Sequence, residues 1–281
     1  MPSARTLVHK FNDLKTLPHV AIRVTQLVNS ESANMKDFEE IIKLDPILVV
    51  RLLKLVNSPY FGLVNKVESI SKAVVYVGMK NLRNLVAIEA IRNLFQERDD
   101  YGFSRRQLWQ HSATVAILSR MIAERIFGLA GEDEFLAGII HDIGLIIEDQ
   151  LVGQEVREVA RLYGKGDKPI THYEDEVIET NHCKVGGMLV FDWNMPEAVV
   201  LAIKKHHDYD KAYPLPSITS ILHIAEYIAS RLNYGAIAGR HEPLPAYLTS
   251  HMKSRMADYK VLIKEFPAEM ERAEELYRDK E

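Results

Sequence analysis

Residues 132–148, Glu-Asp-Glu-Phe-Leu-Ala-Gly-Ile-Ile-His-Asp-Ile-Gly-Leu-Ile-Ile-Glu, decide how the chain reads. His141 and Asp142 stand side by side where an apolar helical run meets Gly144. At such a junction an imidazole and a carboxylate can face one cavity from slightly different directions. A neutral nitrogen donor beside an anionic oxygen donor suits a divalent transition metal. The acidic Glu132-Asp133-Glu134 cluster falls at the helix start, where the positive end of the macrodipole favours it. A His-Asp dipeptide alone is weak evidence, because a hydrogen-bonded core pair looks the same. The weight comes from the other histidines on apolar helical faces.

Outward from this stretch, the composition bounds the class. Hydrophobic residues make up 47% and charged residues 26% of 281, a soluble globular mix with enough chain for one large or two smaller domains. A formal charge of −4 argues against broad, charge-driven nucleic-acid binding. The single cysteine, Cys183, excludes an intrachain disulfide and fits a reducing cytosol, so a cytoplasmic location is expected. No apolar stretch is long enough to span a bilayer, since Val86–Ile91 is interrupted by Glu89, and the amino terminus lacks a signal-peptide core. Eleven histidines are the conspicuous feature of the inventory.

Upstream, residues 1–16 read as a loosely held lead-in. Pro18 opens a helix through Asn29, on the stripe Val20, Val24, Leu27 and Val28. Met35–Leu44 is a shorter segment, and Asp45-Pro46 caps and starts a helix through Val56. Residues 57–62 form a turn. Ile70–Val77 is β-branched enough for a strand, but Ile70, Ala73, Val74 and Val77 repeat at helical spacing and Gly78 ends the run, so it is predicted as helix. A helix over Asn81–Phe95 follows, and the charged stretch Gln96–Gly102 reads as a boundary between subdomains. No strongly alternating strand pattern occurs anywhere. The expected fold is all-α.

Ser104, with Gln107 three residues on, is a plausible capping box for a helix carrying Leu108, His111, Val115, Leu118 and Ile122, which places His111 inside an apolar stripe. Beyond the central element a helix is expected over Glu148–Tyr163, then a loop over Gly164–Pro169. His182 lies on a helix through Phe191 whose Gly186 and Gly187 cost about 1 kcal/mol each relative to alanine, which suggests close approach of a neighbouring backbone. Cys183 is adjacent, but consecutive helical residues diverge by roughly 100°, so it is expected to point elsewhere as a structural residue. A helix from Asn194-Met195-Pro196 carries His206 and His207 in its last turn. Ser217–Leu232 places His223 and Glu226 on one face, and residues 245–281 give one or two charged amphipathic helices.

Singly, each histidine reads as a satisfied core or capping residue. Together, His111, His141, Asp142, His182, His206, His207 and Glu226 supply seven donors, enough for one divalent transition-metal ion or for two with water between them. Iron, manganese, nickel or zinc suits such a mixed nitrogen and oxygen set.

This order of residues resembles the HD superfamily, whose metal-dependent phosphohydrolases use a His…His-Asp…Asp arrangement on a helical fold. Leu55-Val56-Asn57-Ser58-Pro59-Tyr60-Phe61-Gly62 followed by Ile70-Ser71-Lys72-Ala73-Val74-Val75-Tyr76-Val77-Gly78 resembles the signature of the HDOD domain. The resemblance covers about residues 14–235. It implies an amino-terminal helical HDOD subdomain over 1–100, an HD-like helical bundle with the metal site over 101–235, and charged helices over 236–281. HDOD domains commonly lack catalytic ligands and are associated with bacterial signalling and regulation. At His111, His141, Asp142, His182, His206 and His207 the chain is similar to the HD-GYP cyclic-di-GMP phosphodiesterases. It departs from them where Leu145 replaces a lysine that could stabilise phosphate charge, where Glu226 replaces the last aspartate, and where Gln107 replaces a glutamate. The GYP segment is absent.

Two functions follow as expectations. The first is an HDOD-type signalling or regulatory protein with a structural or sensory metal site and a signalling partner in trans. The second is a metal-dependent phosphohydrolase acting on a phosphate-containing small molecule, a nucleotide or cyclic dinucleotide. A metal-free helical scaffold is a third reading, in which the histidines only hydrogen-bond within the core.

Overall fold

The structure, a computed structural model, describes residues 3–14, 19–29, 34–95, 104–237 and 240–273, and it is all-α, with no strand among the described residues. The first half runs through α1 (Ala4–Leu14), α2 (His19–Val28), α3 (Met35–Ile42), α4 (Pro46–Val56), α5 (Ile70–Val77) and α6 (Met79–Arg92). The second half runs through α7 (Arg105–Phe127), α8 (Glu132–Ile140), α9 (Ile143–Leu151), α10 (Gly153–Tyr163), α11 (Ile170–Val177), α12 (His182–Asp192), α13 (Glu197–Lys205) and α14 (Ile218–Arg231). Two further helices follow, α15 (Ala246–Ser254) and α16 (Met256–Arg272). No described helix is long and apolar enough to cross a membrane.

Local chemistry explains these boundaries. The Asp45 carboxylate accepts from the Ile47 and Leu48 amides, both at 3.0 Å, with Pro46 pre-set for the first turn of α4. Ser69 caps α5, and Gly78, at a φ of +80°, ends it. Between α4 and α5 the Asn57 side chain accepts from the Val67 amide and donates to the Leu53 and Val67 carbonyls, which ties down the intervening turn.

Four local expectations are corrected. Most of the lead-in, Ala4–Leu14, is helix α1, which buries Leu7, Val8 and Phe11, a single stripe that docks on α9 and α12. The helix expected over Glu148–Tyr163 begins earlier, at Ile143, and breaks at Val152, where α9 gives way to α10. The Ser104 box is half made, because Ser104 accepts from the Gln107 amide while the Gln107 side chain donates instead to the Gly235 carbonyl. Helix α11 had no predicted counterpart, its run being short and mostly polar. The proposed boundary Gln96–Gly102 lies outside the described residues.

Helix α7 runs through the middle of the second half and packs against α8 and α14, while α9 packs on α12 and α13 fits beside α8, α12 and α14. Two glycines set how closely these helices meet. A Cβ at Gly138 of α8 would lie 2.5 Å from the Ala116 Cα of α7, and one at Gly144 of α9 would lie 2.1 Å from the His182 carbonyl oxygen of α12. Gly186 faces the same seam from α12, as its helix-breaking cost suggested. The first half reaches the start of α8 through Arg83, a buried cation that donates to the Asp133 carboxylate at 2.6 Å, and through Asn84, which donates to the Glu132 carbonyl at 2.7 Å. Arg83 and Lys80 outweigh the burial of Asp133 and hold its carboxyl below the ordinary range.

Candidate metal centre

Helices α8 and α9 are joined by a two-residue turn, His141, which follows the last residue of α8, and Asp142, which precedes the first of α9. All seven predicted residues converge here, and six of them are fully buried. They form two groups of donor atoms: His111, His141 and Glu226 on one side, Asp142, His182, His206 and His207 on the other. Asp142 belongs to both by distance. Its Oδ2 lies 3.4 Å from His111 Nε2 and 3.2 Å from His141 Nε2, while its Oδ1 lies 3.5 Å from His182 Nε2 and 3.3 Å from His206 Nε2. Glu226 Oε1 lies 3.3 Å from His111 Nε2 and 2.8 Å from His141 Nε2, so the longer side chain still reaches the first group.

The proton positions follow from the outer partners. His111 Nδ1 faces the Tyr234 carbonyl at 2.6 Å, His141 Nδ1 the Gly138 carbonyl at 2.8 Å, and His206 Nδ1 the Ile203 carbonyl at 2.8 Å. A carbonyl only accepts, so each Nδ1 carries the hydrogen. His182 Nδ1 likewise donates to the Glu174 carboxylate at 2.8 Å. Tyr209 donates its hydroxyl to Glu242 at 2.6 Å, so its oxygen accepts from His207 Nδ1 at 2.7 Å. Every Nε2 of a neutral ring is thereby left as a lone pair turned toward the centre.

Those lone pairs meet head-on. His111 Nε2 and His141 Nε2 are 3.2 Å apart, and His182 Nε2 and His206 Nε2 are 3.1 Å apart. Among the described residues, no hydrogen-bond donor is directed at Asp142 Oδ1 or Glu226 Oε1, both buried. Electron pairs packed this closely repel unless positive charge stands among them. Burial pushes the His111 and His141 imidazoles down, yet the Glu226 and Asp142 charges outweigh it and hold both above their ordinary value. Burial also pushes the Asp142 and Glu226 carboxyls up, and the surrounding imidazoles bring both well below theirs. The centre is a site of negative potential that takes protons or metal cations, and the buried histidine and aspartate cluster suggests a metal.

Cys183 does not point away from the centre. Its Sγ lies 3.6 Å from His182 Nε2 and 3.7 Å from His206 Nδ1, because His206 arrives from α13 in the angle between the two α12 side chains. Burial raises the thiol, but the two imidazoles overcome that and bring it to about 6. His223 is a core residue held by the Tyr247 hydroxyl and the Lys205 carbonyl, and burial lowers it to about 4.

Sequence reasoning missed the outer partners Glu174, Tyr209 and Glu242. Glu174 sits eight residues before His182 on the helix that went unpredicted, and recognising α11 was the signal that would have found it. Tyr209 and Glu242 carry no local signal, since their roles depend on two separate segments meeting. A small cavity opens in front of Asp142, Glu226 and His207, covered by Gly235, Ala236 and Ile237, with Leu145 in its wall. Its free volume is about 20 Å³, room for about one water.

Comparison with known proteins places this geometry. The HDOD domain profile matches residues 14–209. An HDOD domain protein of unknown function from Geobacter sulfurreducens is similar over 98% of both chains, with a TM-score of 0.73 and 24% identity. A protein from Shewanella amazonensis SB2B, provisionally named a phosphohydrolase, is similar over 97% of both chains, with a TM-score of 0.73 and 23% identity. At these identities the likeness is one of fold. An uncharacterized protein of Treponema pallidum (strain Nichols) is 26% identical over 211 residues, which are 74% of this chain and 40% of that protein, so the chain spans less than half of its length.

Proposed function

The chain belongs to the HDOD domain family, and on that premise we propose a bacterial signalling or regulatory protein whose histidine-rich centre hydrolyses a phosphoester. The substrate class is nucleotide or cyclic dinucleotide. One observation carries the reading: two donor groups, joined through the two oxygens of Asp142, with imidazole lone pairs 3.1 and 3.2 Å apart. A set of this kind suits two divalent transition-metal ions, with iron, manganese, nickel and zinc as candidates. His111, His141 and Glu226 would hold one, His182, His206 and His207 the other, with Asp142 shared. Such ions would supply Lewis acidity toward a phosphoryl group and a water of lowered pKa.

The chain's own residues do the positioning. Backbone carbonyls on Nδ1 fix the tautomers of His111, His141 and His206. The Glu174 carboxylate orients His182 and raises its basicity, while the Glu242–Tyr209 pair orients His207. Purified protein is expected to carry transition metal by elemental analysis, to hydrolyse nucleotides or cyclic dinucleotides, and to lose that activity in D142N. Protein that holds no metal and shows no hydrolysis after reconstitution refutes the proposal.

A second reading is favoured by the covered cavity of about 20 Å³, which takes a solvent molecule rather than a nucleotide. Here the metal is structural or sensory, and the helical surface engages a signalling partner in trans. This reading predicts metal without turnover, with H111A and H182A each lowering metal content.

A further inference from the structure

Leu145 occupies the position at which the HD-GYP phosphodiesterases, by resemblance, carry a phosphate-stabilising lysine. It is 2% exposed and forms part of the cavity wall. The cavity nevertheless has a cation. Among the described residues that line it, Arg240 alone bears a permanent positive charge. Arg240 follows α14 and lies beyond the residues matched by the family profile.

Its guanidinium is held in place but not used up. It lies over the Tyr163 ring at 4.2 Å, and Nη1 donates to the Gly166 carbonyl at 2.7 Å. Nε is buried with no hydrogen-bond partner among the described residues. A buried guanidinium N–H without an acceptor costs free energy, and an anionic oxygen is the acceptor that suits it best. The nearby Glu242 carboxylate is engaged elsewhere, accepting from Tyr163 at 3.1 Å and from Tyr209 at 2.6 Å.

We propose that Arg240 is a phosphate-recognition residue, binding a phosphoryl oxygen of the substrate in the cavity that Asp142, Glu226 and His207 also line. The fork of a guanidinium matches phosphate geometry, and its charge persists across the physiological range. Arg240 thus restores from the carboxy-terminal segment the cation absent at Leu145. A phosphoryl group is larger than the free space of about 20 Å³, so binding requires the cavity lining to give way around it. The proposal rests on the metal centre argued above.

The test titrates inorganic phosphate into the metal-loaded full chain by calorimetry, comparing wild type with R240Q, R240K and R240Q/L145K, with metal content measured in each. With metal content unchanged, R240Q is expected to weaken phosphate binding by about 10-fold or more, from loss of one charge-assisted contact. R240K should retain part of the affinity, and R240Q/L145K should regain part of it. R240Q binding phosphate like wild type overturns the proposal. So does a loss that neither R240K nor R240Q/L145K restores, which would make Arg240 a clip on the Gly166 carbonyl. Should R240Q/L145K fail to fold, R240K decides. Phosphate binding through Arg240 without nucleotide hydrolysis leaves this inference standing and sinks the hydrolytic reading. Hydrolysis with unaltered phosphate affinity in R240Q does the reverse.

Discussion

Replacing Gly144 by alanine should disable the candidate metal centre without replacing any of its donor side chains. The new Cβ would sit 2.1 Å from the His182 carbonyl oxygen and 2.8 Å from its carbonyl carbon and Cα, whereas ordinary contact begins at 3.4 Å. Backbone faces backbone, so no side chain can swing aside. The seam between α9 and α12 must open by roughly the 1.3 Å separating 3.4 from 2.1 Å. Overpacking of this kind costs about 1–3 kcal/mol, and a backbone clash falls toward the top of that range. For a chain of this size about 3 kcal/mol lowers the melting temperature by roughly 6–12 °C. The effect on binding is sharper. Asp142 Oδ1 and His182 Nε2, on opposite sides of the seam, are 3.5 Å apart, and metal–ligand distances tolerate only about 0.2 Å. Metal content by elemental analysis and melting by calorimetry should fall together in G144A. G186A is the control, since its Cβ would meet nothing closer than 3.2 Å, and a change below about 1 kcal/mol is expected. Wild-type metal content and melting temperature in G144A would refute the idea that this seam positions the ligands.

E174Q removes the anionic acceptor of His182 Nδ1 and should weaken metal binding roughly 10–100-fold with little change in helix content, measured by competition with a chelator. Metal should also be released on acidification, because the ligating imidazoles and carboxylates bind protons in its place; affinity independent of pH between about 7 and 5 would count against the assigned donors. In metal-free protein the sign is opposite for His206. Burial lowers its pKa, but Cys183 and Asp142 raise it to about 10 from the ordinary 6.5, so its contribution to stability is whole below 6.5 and is lost as pH rises through about 10. Melting of the metal-free wild type should therefore decline over that window more than melting of H206Q. Finally, R83M removes the buried guanidinium bond to Asp133 and leaves Lys80 as the cation beside that carboxylate, and should lower stability by about 1–3 kcal/mol in denaturant melts.

Much of the candidate site was legible because its donor residues sit on regular helices or at their ends. His111 fell inside the stripe of α7, His141 and Asp142 at a helix-ending glycine pattern, and His206 and His207 at the end of α13. The direction of Cys183 was misjudged because an angular step along one helix says nothing about what a second helix inserts beside it. The order in α1 was missed for a related reason: Leu7, Val8 and Phe11 acquire meaning only from the α9–α12 surface that buries them.

The chain's own periodicity determined the all-α class, because helical hydrogen bonds and apolar stripes are local and recur every three to four residues. Residue types likewise determined that the centre would be rich in nitrogen and oxygen donors. Only the tertiary structure decided that these donors form two groups sharing Asp142, which carbonyl or carboxylate holds each imidazole, and that Arg240 faces the cavity. Several of those relations join residues far apart in the chain, as His111 and Tyr234 are, and they depend on how closely helices meet. Backbone contact at Gly138 and Gly144 sets that distance, and no local pattern encodes it.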